Sequence, residues 1–350
     1  MLPAKAYAAQ QARAPLAPFH LQRREPGPQD VLIDILYCGI CHTDIHQTQG
    51  QFPNSTFPMV PGHEIVGRVA RVGSAVTRYK SGDIVGVGCL VDSCRTCPDC
   101  AAGEEQFCFG MVLTYNGLER DGRTLTYGGY SSCITVDQHF VLRIPPALDP
   151  AAAAPLLCAG TATYAALRHW NVHKGSRVGV IGLGGLGHVA VKLAAAMGAE
   201  VTVLSTSPGK QQDALRLGAV DFANTRSADT FTRLTERFDL ILNTVSASIP
   251  FDAYISLLRR DGTLVLLGVP EEPVTANGFG LLARRKRVAG CPIGGIRETQ
   301  EMLDFCAGHD LAADVEVISI DKVNEAYERI LRSDVRYRFV IDMATLTDVA

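Results

Sequence analysis

Hydrophobic and polar residues follow two different patterns along this chain, and the patterns divide it into regions. From Val31 to about Ile144, short β-type runs such as VLIDILYCG and HEIVGRVARVG alternate with glycine, proline and aspartate breaks. This alternation predicts a compact, mainly β domain. The proline- and alanine-rich stretch that follows, IPPALDPAAAAPLLCAGTATYAAL, indicates a domain junction that leads into a helix.

A second region begins with RVGVIGLGGLGHVAVKLAAAMGA, which places an apolar strand, a glycine turn and an amphipathic helix in succession. Gly182, Gly184 and Gly187 supply the spacing G-x-G-x-x-G, with Gly185 and Leu186 between them. The motif alone is weak, but further apolar strands follow at VTVLS, FDLILNTV, GTLVLLGV and RVAGCPIG. The succession predicts a Rossmann doubly wound parallel sheet, whose glycine turn and helix N-terminus would bind a pyrophosphate.

The segment after the second strand of this region bears on the choice of cofactor. An NAD site usually offers an acidic residue about 20 residues after the glycine motif, and VTVLSTSPGK contains none. Ser205, Thr206 and Ser207 could donate hydrogen bonds to a 2′-phosphate, and Lys210 could neutralise its charge. We therefore expect NADP(H), although Ser207 could also simply cap a helix, and the two interpretations are compatible.

Composition and charge narrow the range of partners. The 350 residues are 47% hydrophobic and 20% charged, with a formal net charge of -3, so no nucleic-acid partner is expected. The first residues lack the apolar core of a signal peptide, and no apolar run reaches the length of about 18 residues that a membrane helix needs. These features predict a cytoplasmic protein without a membrane partner.

Eleven cysteines form an odd number, and a reducing compartment argues against a disulfide framework. Cys94, Cys97, Cys100 and Cys108 form a C-x2-C-x2-C-x7-C array, whose short links allow four thiolates to converge on one tetrahedral ion. Zinc is the leading interpretation, and an iron–sulfur cluster or a loop of free thiols is the alternative. Four thiolates leave no open position, so this zinc would be structural.

A second candidate metal site lies outside that loop. Cys41 in CHTDIH and His63 in GHE could supply sulfur and nitrogen, and Cys158 in LLCAG could supply a third ligand. Each residue alone is more often part of a packed core than a metal ligand. Zinc held by two thiolates and one imidazole keeps a vacant fourth position, which is the arrangement of a Lewis-acid catalyst.

Together these motifs resemble the zinc-dependent medium-chain alcohol dehydrogenases, from one end of the chain to the other. The similarity is strongest to the cinnamyl-alcohol-dehydrogenase-like branch, which includes bacterial NADPH-dependent aldehyde reductases of broad specificity. It rests on the motifs CHTDIH, GHE, the four-cysteine loop, LCAG, GLGGLGH, ETQEMLDFCA and RYRFVID. The resemblance implies a GroES-like, mainly β zinc catalytic domain at residues 1–155 and 296–350, and a Rossmann NADP-binding domain at 156–295.

The resemblance also implies roles for single residues around the second site. Cys41, His63 and Cys158 would ligate the catalytic zinc, with Glu64 as an alternative fourth ligand. Asp44 would orient the metal-bound imidazole. The alternatives are a surface helix cap for Asp44 and pairing with a nearby basic residue for Glu64.

Three further residues come from the same motif. The resemblance places His42 near the cofactor pyrophosphate. It implies that Thr43 accepts the proton of the alcohol and passes it through the nicotinamide ribose to His46, which faces solvent. A histidine suits this role because it exchanges protons near neutral pH, although His46 could also be an ordinary exposed loop residue.

The activity implied is hydride transfer between NADP(H) and primary alcohols or aldehydes, with two zinc ions per chain and a homodimer as the assembly. The residues expected near the substrate are aromatic or apolar, which favours aromatic, allylic or aliphatic aldehydes. They are Phe52, Phe57, Tyr115 and Ile296. For each of them, packing in the core is an equally good interpretation. An NAD-dependent polyol or short-chain alcohol dehydrogenase is the nearer rival, and a zinc-ribbon nucleic-acid-binding protein the remote one. Departures from the pattern of relatives occur at Ala162, Cys291 and Pro292.

Overall fold

The computed structural model describes residues 1–227, 229–270 and 272–347. The chain divides into two compact units. Unit 1 comprises Met1–Cys158 and Gly294–Ala350, and unit 2 comprises Ala159–Ile293. The last three residues of the catalytic domain expected from the sequence, 348–350, lie outside the described residues.

The strands, numbered along the whole chain, are β1 (Leu2–Ala8), β2 (Ala17–Arg23), β3 (Asp30–Gly39), β4 (Ile65–Val72), β5 (Ile84–Val87), β6 (Leu90–Asp92), β7 (Val112–Leu113), β8 (Cys133–Asp137), β9 (Leu142–Arg143), β10 (Arg177–Ile181), β11 (Glu200–Ser205), β12 (Asp221–Asn224), β13 (Phe238–Asn243), β14 (Leu258–Leu266), β15 (Arg287–Gly290), β16 (Val315–Ser319) and β17 (Arg338–Asp342).

The α-helices are α1 (His42–Thr48), α2 (Pro98–Ala102), α3 (Pro150–Ala153), α4 (Ala159–His169), α5 (Gly187–Ala196), α6 (Gln211–Arg216), α7 (Thr230–Arg233), α8 (Phe251–Ser256), α9 (Gly278–Leu282), α10 (Ile296–Gly308) and α11 (Val323–Leu331). Short 3-10 helices lie at Glu105–Phe107, Ala154–Leu157, Pro208–Lys210, Ile320–Lys322 and Met343–Thr345.

Unit 1 is built around a mixed sheet in the order β16-β17-β3-β4-β5-β9, with β8 also paired to β3. Strand β3 is the centre of this sheet and is buried along most of its length. Its neighbours come from distant parts of the chain, because Cys38 pairs with Ile65 of β4 on one side and with Ile341 of β17 on the other. The C-terminal segment is therefore an integral part of the mainly β unit.

Unit 2 contains a six-stranded parallel sheet in the order β12-β11-β10-β13-β14-β15. If β10 is counted as the first strand, the order is 3-2-1-4-5-6, which is the Rossmann order. The doubly wound fold predicted from the glycine motif and the apolar strands is confirmed. Its core is formed by buried apolar residues of the strands and of the helices packed on them, such as Leu204, Phe238, Ile241 and Leu264.

No single helix among the described residues is long and apolar enough to cross a bilayer. One bent pair, Pro150–Leu157 with Ala159–His169, meets the length and composition criteria only when its two members are taken together.

Candidate metal centres and cofactor-binding loop

The residues predicted for the catalytic metal converge in unit 1. The ligand atoms of Cys41, His63, Glu64 and Cys158 all lie within 4.8 Å of one another. Cys41 caps the N-terminus of α1, His63 and Glu64 directly precede β4, and Cys158 follows the 3-10 helix at Ala154–Leu157. We call these four residues the mixed cluster. Elements far apart in sequence thus bring sulfur, nitrogen and oxygen donors together.

The geometry of the mixed cluster fits a zinc ion. The Sγ atoms of Cys41 and Cys158 are 3.8 Å apart, and two thiolates on a tetrahedral zinc with bonds of about 2.3 Å would be separated by about 3.8 Å. His63 Nε2 and Glu64 Oε2 are buried and have no hydrogen-bond partner among the described residues. Buried polar atoms without partners are rare in folded proteins, and an absent ion is a common reason for them.

One of the two thiols of this cluster, that of Cys41, favours the thiolate, whereas its neighbours raise the pKa of the Cys158 thiol. A hydrogen bond from Cys158 holds the pKa of the Cys41 thiol well below its usual range, and the neighbouring His63 and Arg338 act in the same direction. A lowered pKa favours the thiolate, which is the form that binds metal. Cys89, which the sequence did not single out, is half-buried, and its interaction with Cys158 lowers the pKa of its thiol.

Glu64 lies in a fully buried ion pair with Arg338 of β17. Both side chains are almost inaccessible, at 0% and 4% exposure, and Arg338 Nη2 donates to Glu64 Oε1. Burial raises the pKa of Glu64 to about 8, although the charge of Arg338 opposes the shift. One carboxylate oxygen is thus held by the arginine, and the other belongs to the mixed cluster.

The space for the Glu64 carboxylate is created by a glycine. Gly39 ends β3, between the strands that carry Arg338 and lead from Glu64, and a Cβ added there would overlap Glu64 Oε2. The alternative role for Glu64 in the sequence analysis was pairing with a basic residue, and Arg338 is that residue. Glu64 is paired with Arg338 and is at the same time one of the candidate metal ligands.

Asp44 is fully buried beneath the mixed cluster, so it is not a surface cap. Its Oδ2 accepts a hydrogen bond from the backbone N–H of Cys41 (2.8 Å), and its Oδ1 accepts one from Gly62 N (3.2 Å). The separation between Asp44 Oδ1 and His63 Nδ1 is 3.8 Å, beyond hydrogen-bond range. Asp44 therefore ties together the backbones of two ligand-bearing segments, and its role in orienting the imidazole stays a prediction.

The segment 127–133 packs against this region and is held by a buried arginine. Arg23, at the end of β2, donates to Tyr127 O (2.7 Å), Gly128 O (3.0 Å) and Cys133 O (3.0 Å), and to Ser131 Oγ (2.9 Å). Burial lowers the pKa of the Arg23 guanidinium to about 10. All these acceptors belong to the segment 127–133, so the cation fixes its backbone.

The four-cysteine loop forms the second donor cluster, and its four sulfur atoms lie within 4.8 Å of one another. The Cys100 Sγ is 3.9 Å from that of Cys94 and 3.5 Å from that of Cys97. Backbone N–H groups of the loop donate to three of the sulfurs, at 3.3 to 3.5 Å. Such bonds stabilise thiolates, so this loop too has the donor set and the spacing of a tetrahedral zinc site.

The loop is anchored to the rest of unit 1 through Glu105. Its buried carboxylate contacts His139 Nε2 (3.0 Å) and accepts a hydrogen bond from Ile296 N at the start of α10 (3.0 Å). The hydrogen bond with His139 holds the pKa of Glu105 below its usual value, against the effect of burial. Ile296, expected near the substrate, lines a cavity of about 380 Å³ together with Cys100, Glu105 and His139.

The candidate proton-relay residues lie on α1. His42 is exposed, whereas Thr43 and His46 are partly buried. The rings of His42 and His46 are 4.8 Å apart, and His46 Nδ1 contacts Gln51 Oε1. Tyr115, expected to line the substrate pocket, is buried and stacks on the His63 ring at 5.6 Å.

In unit 2 the glycine motif lies between β10 and α5, and its glycines serve different purposes. Gly182 has a φ of 86°, and a Cβ at Gly187 would overlap the Gly182 carbonyl oxygen. A Cβ added at Gly184 would meet no described atom within 4 Å. The first and third glycines are thus required by the fold, while the space beside Gly184 leaves room for a ligand. Gly185 and Leu186 complete the turn, with Leu186 as the N-cap of α5.

The residues expected to select NADP(H) follow β11. Ser205 is its last, buried residue, while Thr206 and Ser207 are exposed. Ser207 N donates to Ser205 Oγ (3.2 Å), and Lys210 Nζ donates to Leu183 O in the glycine turn (2.8 Å). The lysine cation is therefore held beside the turn in which a pyrophosphate is expected. Ser207 precedes the 3-10 helix Pro208–Lys210 without a side-chain cap hydrogen bond.

A Rossmann unit with a glycine turn, together with a mainly β unit that carries two thiolate-rich donor clusters, defines a zinc-dependent dehydrogenase. Comparisons with known proteins agree. Residues 27–146 match the model of the alcohol dehydrogenase GroES-like domain, and residues 185–308 match that of zinc-binding dehydrogenases. The chain belongs to the zinc-dependent medium-chain alcohol dehydrogenases, in the cinnamyl-alcohol-dehydrogenase-like branch, as its motifs predicted.

Individual relatives cover almost the whole chain. NADP-dependent alcohol dehydrogenase C 1 of Mycolicibacterium smegmatis is 59% identical over 97% of this chain and 98% of that protein. Aldehyde reductase YahK of Escherichia coli is 52% identical over 98% of this chain and 99% of that protein. The structure of cinnamyl alcohol dehydrogenase SbCAD4 from Sorghum bicolor superposes with a TM-score of 0.97 at 44% identity, covering 99% and 100% of the two chains.

Three residues at the site were not predicted from the sequence: Arg338, Cys89, and Tyr130, whose hydroxyl donates to Asp44 Oδ2. Arg338 stood in a motif used for the family resemblance, but no role was assigned to it. A charged residue at the start of the apolar strand RFVID was the available signal. Tyr130 in GGYSS and Cys89 in VGVGC carried no comparable signal, because a buried tyrosine or cysteine is common in a protein core.

Proposed function

We propose that this chain is an NADP(H)-dependent zinc alcohol dehydrogenase and aldehyde reductase. It transfers hydride between NADP(H) and primary alcohols or aldehydes of aromatic, allylic or aliphatic character. The main support for this proposal is the mixed cluster. In it Cys41, His63 and Cys158 converge, and Arg338 holds one oxygen of Glu64. Three strong donors and a carboxylate tethered by a cation leave a fourth position for substrate. The names of the relatives support the same activity.

The two donor clusters serve different ends in this proposal, with one zinc ion each. When bound to the mixed cluster, zinc supplies a Lewis acid that favours proton loss from an alcohol and polarises an aldehyde carbonyl. Glu64 is the alternative fourth ligand, and Asp44 keeps the Cys41 and His63 segments in register. The four cysteines of the loop close their own site, so they stabilise unit 1 and take no part in the reaction.

The cofactor binds to unit 2 in this proposal, and NADP(H) supplies or accepts the hydride. The backbone from Gly182 to Gly187 approaches the pyrophosphate at the N-terminus of α5. The hydroxyls of Ser205, Thr206 and Ser207 and the ammonium of Lys210 bind the 2′-phosphate, and His42 contributes near the pyrophosphate. The absence of an acidic residue from VTVLSTSPGK supports this assignment, and the hydrogen bond of Lys210 to Leu183 O keeps the cation within the cofactor-binding region of unit 2.

The protons move through α1. Thr43 accepts the alcohol proton, and His46 exchanges it with solvent. His46 contacts Gln51 and the His42 ring and is partly exposed, which supports exchange of its proton with solvent. A threonine hydroxyl is suited to such a relay because it both donates and accepts hydrogen bonds.

We also propose that the protein is cytoplasmic and forms a homodimer through the edge of the Rossmann sheet. Strand β15 is at the edge of that sheet. Nearby apolar side chains are strongly exposed, with Val269 at 65%, Phe279 at 77% and Leu282 at 78%. Such a surface is typical of a protein interface. Light scattering coupled to size-exclusion chromatography gives the mass, and a monomer at micromolar concentration would contradict the dimer.

The activity is tested by initial rates of cinnamaldehyde and benzaldehyde reduction, with NADPH and NADH side by side, on protein of measured zinc content. We expect turnover with NADPH and much slower turnover with NADH. Faster turnover with NADH would overturn the role given to Ser205–Lys210. No turnover with either cofactor in protein holding two zinc ions per chain would overturn the substrate class.

A further inference from the structure

Besides its backbone donors, the buried carboxylate of Asp44 has a side-chain donor in Tyr130. Tyr130 Oη donates to Asp44 Oδ2 at 3.2 Å, the same oxygen that accepts the hydrogen bond from Cys41 N. Tyr130 is completely buried. The carboxylate that joins the Cys41 and His63 segments is therefore itself held by a phenol that no solvent can replace.

A second phenol continues this arrangement. Tyr327 of α11 directs its Oη to Tyr130 Oη at a distance of 3.4 Å. The hydroxyl of Tyr130 thus accepts from Tyr327 and donates to Asp44, so its proton is directed at the carboxylate. This order of donors selects one orientation of the Tyr130 hydroxyl.

The backbone fixes where the Tyr130 ring lies. Gly128 N donates to Val60 O, Gly129 N to Gly62 O and Tyr130 N to Pro61 O, at 2.8, 2.8 and 3.0 Å. A Cβ added at Gly62 would fall 2.7 Å from Tyr130 Cδ1, so only a glycine permits the ring this close to the residue before His63. Arg23 in turn holds the segment 127–133. The ring and the approach to His63 therefore form one rigid piece.

We propose that Tyr130 is a positioning residue for the catalytic zinc, acting through Asp44. This inference rests on the proposed function, because it requires that the mixed cluster hold zinc. Removing the hydroxyl leaves a buried carboxylate oxygen with one partner fewer, and such losses are costly. The carboxylate then turns away from Cys41 N and Gly62 N, and the two ligand segments lose their common tie. Zinc is released more easily from the mixed cluster and is unaffected in the four-cysteine loop.

The test compares Tyr130→Phe with Tyr79→Phe in the full-length zinc-loaded enzyme. Tyr79 is a matched control, because its hydroxyl also donates to a partly buried acceptor of unit 1, the Val141 carbonyl, without contacting Asp44. The readout is the rate at which zinc passes to a chromogenic chelator. Cys158→Ala, which lacks the ion of the mixed cluster, identifies the phase that belongs to this site.

We expect Tyr130→Phe to accelerate release from the mixed cluster by about 10-fold or more, which is the usual scale for losing a contact behind a metal ligand. The phase from the four-cysteine loop should be unchanged, and Tyr79→Phe should release both ions at wild-type rates. Equal release rates in the two tyrosine variants would overturn the proposal. The proposal would also be overturned if both tyrosine variants released zinc faster in proportion to their lower melting temperatures. The role of Tyr130 would then be structural.

A double-mutant cycle with Asp44→Asn tests whether Tyr130 acts through Asp44. If it does, Tyr130→Phe has little further effect on zinc release in the Asp44→Asn background. If the two substitutions have additive effects on zinc release, Tyr130 does not act through Asp44. Wild-type protein that binds no zinc at the mixed cluster would end this inference and the proposed function together. A zinc-loaded, active wild type whose Tyr130→Phe variant behaves like Tyr79→Phe would end this inference alone.

Discussion

Replacing Arg23 by methionine should destabilise the protein because it removes the cation that fixes the segment 127–133. Arg23 is 9% exposed, and its guanidinium donates four hydrogen bonds of 2.7 to 3.0 Å. Three of its acceptors are backbone carbonyls. A buried acceptor that loses its partner costs about 1–3 kcal/mol. Gly128 O and Cys133 O also accept from Ser131 Oγ, so only the lower limit is counted for each carbonyl. This gives about 3 kcal/mol for the three together, while methionine fills much of the volume of the arginine stem.

Each kcal/mol lowers the melting temperature by about 2–4 °C for a domain of the size of unit 1. We therefore expect Arg23→Met to melt about 6–12 °C below the wild type in differential scanning calorimetry. Arg68→Met is the matched control, because Arg68 donates a single exposed hydrogen bond to a carbonyl, Gly82 O. Surface changes of this kind usually lie within about 0.5 kcal/mol. Melting of Arg23→Met within about 2 °C of this control would refute the reasoning.

Four further predictions concern the metal sites, the cofactor and acid stability. Cys158→Ala should lose one zinc ion and nearly all activity while keeping its circular dichroism spectrum; normal turnover would contradict the assignment. Cys100→Ala should mainly lower the melting temperature, and a variant as stable as the wild type would mean that the loop holds no metal. Lys210→Ala should reduce kcat/KM for NADPH by about 10-fold or more, with little change for NADH, by loss of a charge-assisted contact; equal losses would count against the 2′-phosphate site. Because the folded-state pKa of Glu105 is lowered, its ionised form stabilises the fold at neutral pH, and that contribution is lost only as pH falls below the ordinary carboxyl pKa and through the lower folded-state value. Glu105→Gln should therefore unfold more easily in urea at pH 7, and its difference from the wild type should shrink only below the usual range of carboxyl titration.

Local spacing was enough to predict the parts of the site that lie on short stretches of chain. The four cysteines of the loop fall between positions 94 and 108, and the glycine motif between 182 and 187. Over such distances the backbone has few ways to separate the residues, so a pattern of residue types largely determines the geometry. The glycine turn also required its neighbouring strands and helix, and these too are local.

The remaining contacts depend on strand register across the whole of unit 1. Glu64 and Arg338 are 274 positions apart, and Tyr130 and Asp44 are 86 apart. They meet because β3 lies between β4 and β17, and because the segment 127–133 pairs with residues 60–62. A single sequence without aligned relatives does not show which of these distant segments pair with one another. Glu64 could therefore be named as a candidate ligand from its motif, but its pairing with Arg338 could not be predicted.

The position of Arg338 has a consequence for the order in which the protein is synthesised. All candidate ligands of both metal clusters precede residue 159, whereas β17 is translated only after the whole of unit 2. At about 5–20 residues per second, a ribosome needs on the order of 10–40 s to travel from Cys158 to Arg338. During that interval the nascent chain contains every candidate metal ligand. It still lacks Arg338, which pairs with Glu64, and β17, which pairs with β3. The Rossmann unit is thus translated in full before the zinc-binding unit has its last strand.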